Sequence, residues 1–467
     1  MSGFFGCISK NDCVLDLFYG TDYHSHLGTS RAGMTVLNSD GFKRAIHSIE
    51  NDHFRTKFEP ELDELAGRSG IGIISDLESS PIIASSHLGR FAISMVGKIS
   101  NLDVLVDRSL QMGQRFAELS EKGVNQTELA SILICEGNSF EEGIHNLFHH
   151  IKGSCSLLML TEKGIYAVRD KLGRTPVVIG KKEGSFAVAT ESISFPNLGY
   201  EITRYLGPGE VVLITEDGIE VKKPADKKMQ ICGFLWVYYG YPAAYYEDIN
   251  VDTCRYRCGA ALARRDTVEA DCVSGIPDSG VGHAIGYSNQ RGIPYTRPFV
   301  KYSPTWPRSF MPQNQEVRDH IARMKLIVNR ELILGKRIIF CEDSIVRGTQ
   351  LKDNTKKLFD EGAREVHLRI ACPTLLFPCE FLNFSISRTR LDLAGRKAIY
   401  ELKGTDEVDL EKYMDAESDE YKAMVEQIRK RLKLTSLMYQ RMDDLIAAIG
   451  LPKEKLCTHC WDGSSYS

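Results

Sequence analysis

The stretch that most constrains this chain covers residues 337–350, Arg-Ile-Ile-Phe-Cys-Glu-Asp-Ser-Ile-Val-Arg-Gly-Thr-Gln. A short apolar run of β-forming residues ends in two adjacent acids, Glu342 and Asp343. A loop of small residues follows, and a helical pattern opens at Leu351. A strand, such a loop and a helix N-terminus together present backbone N–H groups and a positive dipole end to an anion. The sequence therefore predicts a phosphate loop beside two carboxylates that can hold sugar hydroxyls or a divalent metal.

The loop also carries side chains that suit a phosphate. Ser344 and Thr349 supply hydroxyls, and Gly348 lets the backbone approach an anion closely because it has no side chain. No lysine closes the loop, so it differs from the glycine-rich loop of nucleotide triphosphatases. The motif resembles the phosphoribosyl pyrophosphate (PRPP) loop of phosphoribosyltransferases, which implies that Val346 and Arg347 contact PRPP as well. The alternative is an ordinary strand–turn–helix corner with exposed acids.

Length and charge limit the remaining possibilities. The chain has 467 residues, too many for one ordinary core, so two or three domains are expected. Its apolar fraction of 43% and charged fraction of 26% are typical of a soluble globular protein. A net charge of −4 provides no electrostatic basis for binding nucleic acid or a membrane surface.

The N-terminus and the cysteines indicate the compartment. The first residues include no basic segment followed by an apolar core, so no signal peptide is predicted, and no run of 18 apolar residues occurs. The 13 cysteines are scattered and odd in number, which favours free thiols or metal ligation over disulfides. We therefore expect a cytoplasmic protein.

The pattern of the chain changes near residue 225. Before it, short β-forming runs separated by tight turns predict antiparallel sheets, with amphipathic helices near 102–122 and 138–151. The charged stretch 221–228 is typical of an interdomain connection. After it, strands alternate with helices up to about residue 400, which predicts a parallel, doubly wound sheet. The segment 405–449 is predicted to form packed helices.

These motifs together resemble the family of glutamine PRPP amidotransferases. The resemblance implies an αββα sandwich of the N-terminal-nucleophile (Ntn) hydrolase type, followed by a type I phosphoribosyltransferase sheet and a helical C-terminal extension. The corresponding domains would be residues 1–225, 226–400 and 401–467. It also implies purine synthesis as the setting, purine nucleotides as regulators, and a homodimer or homotetramer.

The second half carries further matches to the PRPP site. Residues 275–280, Gly-Ile-Pro-Asp-Ser-Gly, resemble the family's pyrophosphate loop, in which Asp278 and Ser279 would bind PRPP. Lys301 and the segment 308–318, which begins at Arg308, resemble a loop that closes over PRPP and excludes water. The loop departs from the family at 303–307, Ser-Pro-Thr-Trp-Pro. The resemblance implies that magnesium is held by Ser279, Glu342 and Asp343, where Glu342 replaces the usual aspartate.

Four cysteines also match iron–sulfur members of the family. They are Cys232, Cys379 and the pair Cys457 and Cys460, which forms a Cys-x-x-Cys motif near the C-terminus. Four thiolates from separate segments suit a 4Fe–4S cluster. Zinc is the chemical alternative because four cysteines bind it as well. The remaining possibility is four unrelated buried thiols.

The first half departs from the family at its catalytic positions. The family's N-terminal cysteine nucleophile is replaced by Ser2, which removal of Met would expose. Its His-Arg-Gly is His-Leu-Gly at 26–28, and its arginine-bearing segment is Gly-Ile-Gly-Ile-Ile-Ser at 70–75. Its His-Asn-Gly-Asn oxyanion segment is Met-Val-Gly-Lys at 95–98. Four losses at one site predict an inactive glutaminase, with Ser2 as a degenerate nucleophile.

The predicted reaction is attack of ammonia on C1′ of PRPP, with ammonia taken from solution or from another protein. One alternative is a non-catalytic regulator that senses PRPP or a nucleotide, which the altered closing loop favours. Another is a phosphoribosyltransferase with a different acceptor. A third keeps Ser2 as the nucleophile for a different amide.

Overall fold

The computed structural model describes residues 2–120, 123–302, 326–382 and 389–465. Its N-terminal part contains two antiparallel sheets that pack face to face. From edge to edge, the strands of the larger sheet are Glu201–Tyr205, Val178–Lys182, Ser185–Ala189, Ser2–Ser9, Ser69–Ser75, Arg31–Asn38 and Gly41–Ser48. Those of the smaller sheet are Ile219–Lys223, Val211–Ile214, Gly164–Val168, Gly153–Thr161, Gly89–Ile99 and Ile82–Ser86.

Both faces of each sheet are buried, which explains why many of these strands are apolar throughout. Phe4, Ile71, Leu158 and Ile165 pack between the sheets and are inaccessible to solvent. Helices cover the two outer faces, so the layers are helix, sheet, sheet and helix. Helices Val14–Asp22, Phe54–Phe58 and Phe195–Leu198 cover the larger sheet, and Leu102–Gln111, Gln126–Ile134 and Phe140–His150 cover the smaller one.

Two details of this part differ from the predictions. The helix expected over 102–122 ends at Gln111, because Gly113 has a positive φ of 81° and the chain then forms strands Leu119–Ser120 and Gly123–Val124. The stretch predicted as a connection at 221–228 begins inside strand Ile219–Lys223, whose basic residues lie at a sheet edge.

The C-terminal part is built on a parallel sheet. Its strands, in spatial order, are Cys272–Gly275, Arg337–Glu342, Glu365–Ile370 and Ser436–Tyr439. The helices of this part are Val251–Arg265, Gly280–Arg291, Thr349–Asp360, Ala394–Lys403, Glu411–Met414, Asp419–Leu432, Met442–Ile449 and His459–Asp462. Short strand pairs join Ile231–Cys232 to Leu456–Cys457, Tyr245–Tyr246 to Ile249–Asn250, and Phe299–Lys301 to Leu326–Val328. Single helical turns occur at Glu59–Glu61, Ser192–Ser194, Leu235–Tyr239, Arg330–Leu332, Arg390–Asp392 and Lys453–Lys455.

The segment 405–449 is mostly helical, as predicted, but it also contains a strand. Residues Ser436–Tyr439 pair in parallel with Glu365–Ile370 and form an edge of the sheet. The strand follows helix Asp419–Leu432, which ends where Lys433 adopts a left-handed conformation with φ 58°. The C-terminal segment therefore completes the sheet and does not only pack beside it.

A buried ion pair ties the sheet to its helices. Arg369, on the third strand, donates two hydrogen bonds to the carboxylate of Asp266, which also accepts one from the Tyr287 hydroxyl at 2.7 Å. Burial acts to raise the pKa of Asp266, but the hydrogen bonds and charge of Arg369 outweigh it and hold that pKa below its usual range. Within the described ranges, no helix is long and apolar enough to cross a membrane.

The packing of helix Asp419–Leu432 against the sheet generates a prediction. Ile428 is fully buried in the core of the C-terminal part. Replacing it with alanine should lower the free energy of unfolding by about 2–5 kcal/mol, because the change removes buried methyl groups and leaves a cavity. Urea unfolding followed by circular dichroism measures this. Lys430→Ala, on the exposed side of the same helix, should change stability by less than about 0.5 kcal/mol. Equal effects of the two changes would contradict the packing described.

Candidate functional site

Two loops meet at one edge of the parallel sheet. They follow neighbouring strands that end together, with Gly275 opposite Cys341 in the register. The Ile276 N–H donates to the carbonyl of Cys341 at 3.0 Å, which holds the first loop against the second strand. Any side chain at Gly280 would collide with the same carbonyl, so this position needs a glycine for the close approach. The two loops that the sequence singled out therefore form one site.

Two adjacent carboxylates lie at the centre of this site. Glu342 is 8% exposed and Asp343 is 4% exposed. The Ser279 hydroxyl lies 3.5 Å from one Glu342 oxygen, and the Ser344 hydroxyl donates to Asp343 at 2.6 Å. The other Glu342 oxygen is buried without a hydrogen-bond partner in the described part of the chain. Burial, helped by the neighbouring charge of Asp343, raises the pKa of Glu342 well above its usual range.

This arrangement fits a divalent cation. Two buried carboxylates side by side repel each other, and a buried oxygen that lacks a partner costs free energy. A hard cation such as Mg²⁺ prefers oxygen ligands and would offset both costs. The Ser279 hydroxyl, which lies across from the pair, is a further oxygen within reach. The residues predicted to hold magnesium are thus brought together.

The predicted phosphate loop leads directly into a helix. Gly348 has φ 77° and precedes helix Thr349–Asp360, whose first turn has no side-chain cap. The N–H groups of that turn have no partner within the helix and point toward the loop. The carbonyl of Val346 accepts a hydrogen bond from the N–H of Ala394 at 2.7 Å. The guanidinium of Arg347 lies 3.6 Å from the carboxylate of Asp392. The loop is therefore anchored on its outer side.

The loop at 275–280 contains one member of an exposed ion pair. Lys301, at the end of strand Phe299–Lys301, forms an ion pair with Asp278, and both side chains are substantially exposed. Asp278 follows a cis peptide bond from Pro277. The pair places an ammonium group beside the loop that precedes helix Gly280–Arg291. Arg308 and the rest of the segment 308–318 that is predicted to close over PRPP lie outside the described residues, as does 303–307.

The N-terminal half has a second candidate site around Ser2. Its hydroxyl is hydrogen-bonded to the hydroxyl of Ser75 at 2.9 Å, and Ser75 also accepts from the N–H groups of Leu77 and Glu78. Beside Ser2 lies a small cavity of about 30 Å³ with mostly apolar walls. Its walls include Leu27, Leu77, Val96, Gly97, Thr175, Pro176, Leu235 and Leu382. The cavity thus combines residues from both halves of the chain.

A buried polar cluster adjoins this cavity. Glu191 is 2% exposed, lies 2.8 Å from Nε2 of His26, and accepts a hydrogen bond from the Tyr246 hydroxyl. Burial acts to raise the pKa of Glu191, but the charge of His26 and these hydrogen bonds outweigh it and lower that pKa. Burial also lowers the pKa of His24 to about 4, so His24 is neutral near pH 7 and its Nδ1 donates to the carbonyl of Gly20 at 2.8 Å.

The sequence around Glu191 and Ser192 indicates only a structural role, and no local pattern singles out His24 or Tyr246. The aromatic pair Tyr245 and Tyr246 occurs in the other half of the chain, and nothing in its local pattern indicates a contact with Glu191. The contact is a product of the tertiary fold.

The four cysteines predicted to be ligands lie in segments that neighbour one another between the two halves. Cys232 lies opposite Cys457 in a short parallel strand pair, and the carbonyl of Cys460 accepts from Leu376 and Phe377. A hydrogen bond from Cys460 lowers the pKa of Cys379 to about 7, against the opposing effect of burial. In the ranges that the structure describes, no three of His, Cys, Asp and Glu converge closely enough to hold one metal ion.

Comparison with known proteins gives consistent matches. A family model described as a glutamine amidotransferase domain matches residues 68–197. The amidophosphoribosyltransferase of Archaeoglobus fulgidus is 30% identical, over 83% of this chain and 86% of the relative. That of Methanocaldococcus jannaschii is also 30% identical, over 99% and 97%.

Two solved structures share the fold. The glutamine PRPP amidotransferase from Bacillus subtilis, solved in complex with ADP and GMP, has a TM-score of 0.82 at 26% identity and covers 99% of this chain and 96% of its own. A structure described as the allosteric regulatory enzyme of purine biosynthesis has a TM-score of 0.83 at 25% identity, over 99% and 95%.

The cysteine arrangement can be tested directly. Cys379→Ser should remove most of the metal bound to the purified protein, because the site loses one of four thiolates. Metal content by mass spectrometry of the anaerobically purified protein measures this. Cys135→Ser, which changes a half-buried thiol in the N-terminal half, should leave the metal content unchanged. Full metal content in the Cys379 variant would exclude this residue as a ligand.

Proposed function

Because the chain belongs to the amidophosphoribosyltransferase family, we propose that it forms phosphoribosylamine from PRPP with ammonia, rather than glutamine, as the nitrogen source. The observation that carries this proposal is the contrast between the two candidate sites. The PRPP-loop site keeps its two buried carboxylates, its uncapped helix N-terminus and its facing serine. The site around Ser2 keeps its outline but lacks the groups for glutamine hydrolysis.

The surroundings of Ser2 support the loss of glutaminase activity. The Ser2 hydroxyl is hydrogen-bonded to the hydroxyl of Ser75. The strand that carries Ser75, Ser69–Ser75, supplies no arginine that could bind the carboxylate of glutamine. Val96 lines the cavity where the family resemblance implies an oxyanion-stabilising amide. The loss of one oxyanion donor typically costs about 100- to 1000-fold in rate. A hydroxyl in place of a thiol adds to that loss, so glutamine hydrolysis would be very slow.

The PRPP-loop site supports transfer to ammonia by positioning and charge stabilisation. The N–H groups of the loop and of helix Thr349–Asp360 would bind the 5′-phosphate, together with the hydroxyls of Ser344 and Thr349. Asp343 and Glu342 would hold the ribose hydroxyls or the cation. Bound magnesium would neutralise charge on the leaving pyrophosphate. Fixing C1′ in one place lets neutral NH₃ attack in line with the leaving group.

The pyrophosphate would lie against the loop at 275–280. The N–H groups of Gly280 and Val281 already donate to backbone carbonyls, so the backbone N–H of Ser279, the next one after Asp278, would bind it. The Ser279 hydroxyl would contact the pyrophosphate or the cation. The ammonium group of Lys301 is paired with Asp278. We infer that Lys301 moves from Asp278 to the pyrophosphate when PRPP binds, since both partners are exposed and the exchange requires no burial of an unpaired charge.

The four cysteines support an iron–sulfur cluster rather than zinc. A tetrahedral zinc ion with Zn–S distances of about 2.3 Å would need its sulfurs within about 4 Å of one another. The described side chains do not converge around a single point in that way, although all four thiols interact with one another electrostatically. A 4Fe–4S cluster accepts thiolates that are spread more widely. We therefore propose that Cys232, Cys379, Cys457 and Cys460 hold such a cluster, which would join the C-terminal residues to the sheet.

The solved relative with ADP and GMP supports a role for purine nucleotides as regulators of this chain. A purely regulatory function is less well supported, because the buried pair Glu342 and Asp343 and the phosphate loop remain complete.

The nitrogen source can be decided by one assay. With PRPP and Mg²⁺, ammonium should support release of pyrophosphate, and the rate should rise with pH because only neutral ammonia is a nucleophile. Glutamine at the same concentration should give less than about 1% of that rate, given the loss of oxyanion stabilisation. Pyrophosphate is measured with a coupled enzyme assay on anaerobically prepared protein. Equal turnover with glutamine would overturn the proposal.

The role of the PRPP loop predicts the effect of a single substitution. Asp343→Asn should lower kcat/KM for PRPP by about 100-fold or more, because it removes a preorganised charge from the site. Asp353→Asn makes the same change on the exposed face of helix Thr349–Asp360 and should leave activity within about twofold. Comparable thermal stability of the two variants would show that the loss is not due to unfolding.

A further inference from the structure

Arg174 is a buried arginine whose charge has no obvious partner. It lies in the N-terminal half, between strands Gly164–Val168 and Val178–Lys182, and is 3% exposed. Of the other deeply buried arginines, Arg169 is paired with Glu247 and Arg369 with Asp266. Arg255 has no acid partner within the described residues, but it donates to three backbone carbonyls. Among the residues that the structure describes, no carboxylate lies within ion-pair distance of Arg174.

Its hydrogen bonds are also incomplete. One terminal nitrogen donates to the side-chain oxygen of Gln230 at 3.1 Å, and the other donates to the carbonyl of Gly153 at 3.4 Å. Nε is buried and has no partner in the described part of the chain. Two of about five N–H donors thus bond to oxygen atoms of the protein. A buried charge left in this state is costly, so an anion beside it is expected.

The surroundings of Arg174 show where that anion would be. The carbonyl of Arg174 accepts from the N–H of Cys232 at 3.1 Å. The guanidinium is close enough to the Cys457 side chain to form a hydrogen bond with it. The guanidinium carbon also lies 3.7 Å from the centre of the Phe381 ring, in the loop whose Leu382 N–H donates to the sulfur of Cys379. Arg174 therefore contacts the segments of three of the four cysteines.

We propose that Arg174 provides the counter-charge for the four-cysteine centre, an inference that rests on the iron–sulfur cluster proposed above. A cluster held by four thiolates carries net negative charge, which increases when it gains an electron. Net charge and hydrogen bonds near the sulfurs are among the factors that set the reduction potential of such clusters. A fixed cation stabilises the reduced form more than the oxidised form, so Arg174 raises the potential. It also strengthens retention of the cluster, because removal of iron would leave the guanidinium unpaired.

The experiment compares three variants in the full chain. Arg174→Gln and Arg174→Met remove the charge but keep a side chain of similar length, and Arg174→Lys keeps the charge. The midpoint potential is measured by reductive titration with dithionite, followed by electron paramagnetic resonance. Release of iron to a chelator is measured in parallel. The methionine variant serves as the neutral form if the glutamine variant does not fold.

The neutral variants should shift the one-electron redox equilibrium by about tenfold toward the oxidised form, which corresponds to about 59 mV. Their iron should be released several-fold faster than from the wild type, and the lysine variant should lie closer to the wild type in both measurements. Equal potentials in all forms, with a cluster present, would overturn this inference alone. If the wild type contains no iron and sulfide, both the cluster and the inference fail.

Discussion

The parallel pairing of strands Cys272–Gly275 and Arg337–Glu342 is the constraint on which the functional arrangement depends. Parallel strands end at the same edge, so the loop that carries Asp278 and the loop that carries Asp343 must meet there. Because Gly280 has no side chain, the helix that begins at this residue can approach the carbonyl of Cys341 in strand Arg337–Glu342 closely. The result is a site with the uncapped N-terminus of helix Thr349–Asp360 on one side, the loop of Asp278 on the other and a buried pair of acids at its centre. Neither loop alone would provide this combination.

This edge is supported by interactions that lie far from it in sequence. The ion pair between Asp266 and Arg369 joins the end of helix Val251–Arg265 to the third strand. The fourth strand, Ser436–Tyr439, comes from the C-terminal segment and contributes the Ser436 hydroxyl, which accepts a further hydrogen bond from Arg369. The same segment continues to Cys457 and Cys460. One continuous segment therefore links the sheet that carries the predicted PRPP loop to two of the four cysteines proposed as ligands.

The sequence predicted the parts of this structure that have local signals. The apolar run before Glu342 and the glycine at 348 identified the strand and loop. The spacing of β-forming runs predicted antiparallel sheets before residue 225 and a parallel sheet after it, whereas the sandwich was implied by the family resemblance. Strand Ser436–Tyr439 was missed because it has only four residues and follows a long charged helix. The burial of Glu342 and the contact of Tyr246 with Glu191 could not be predicted, since each depends on residues that only the tertiary fold brings close. Arg174 was overlooked for the same reason.

The position of Arg174 gives the N-terminal half a physical role that does not require glutamine chemistry. Its loop supplies the guanidinium beside Cys457 and a backbone acceptor for Cys232, while the cavity beside Ser2 is closed by Leu235 and Leu382 from the other half. Removing this half would expose the cysteine centre and uncover apolar surface on the phosphoribosyltransferase part. Under the functions proposed above, the sandwich remains necessary without glutaminase activity, because it completes the environment of the proposed cysteine centre.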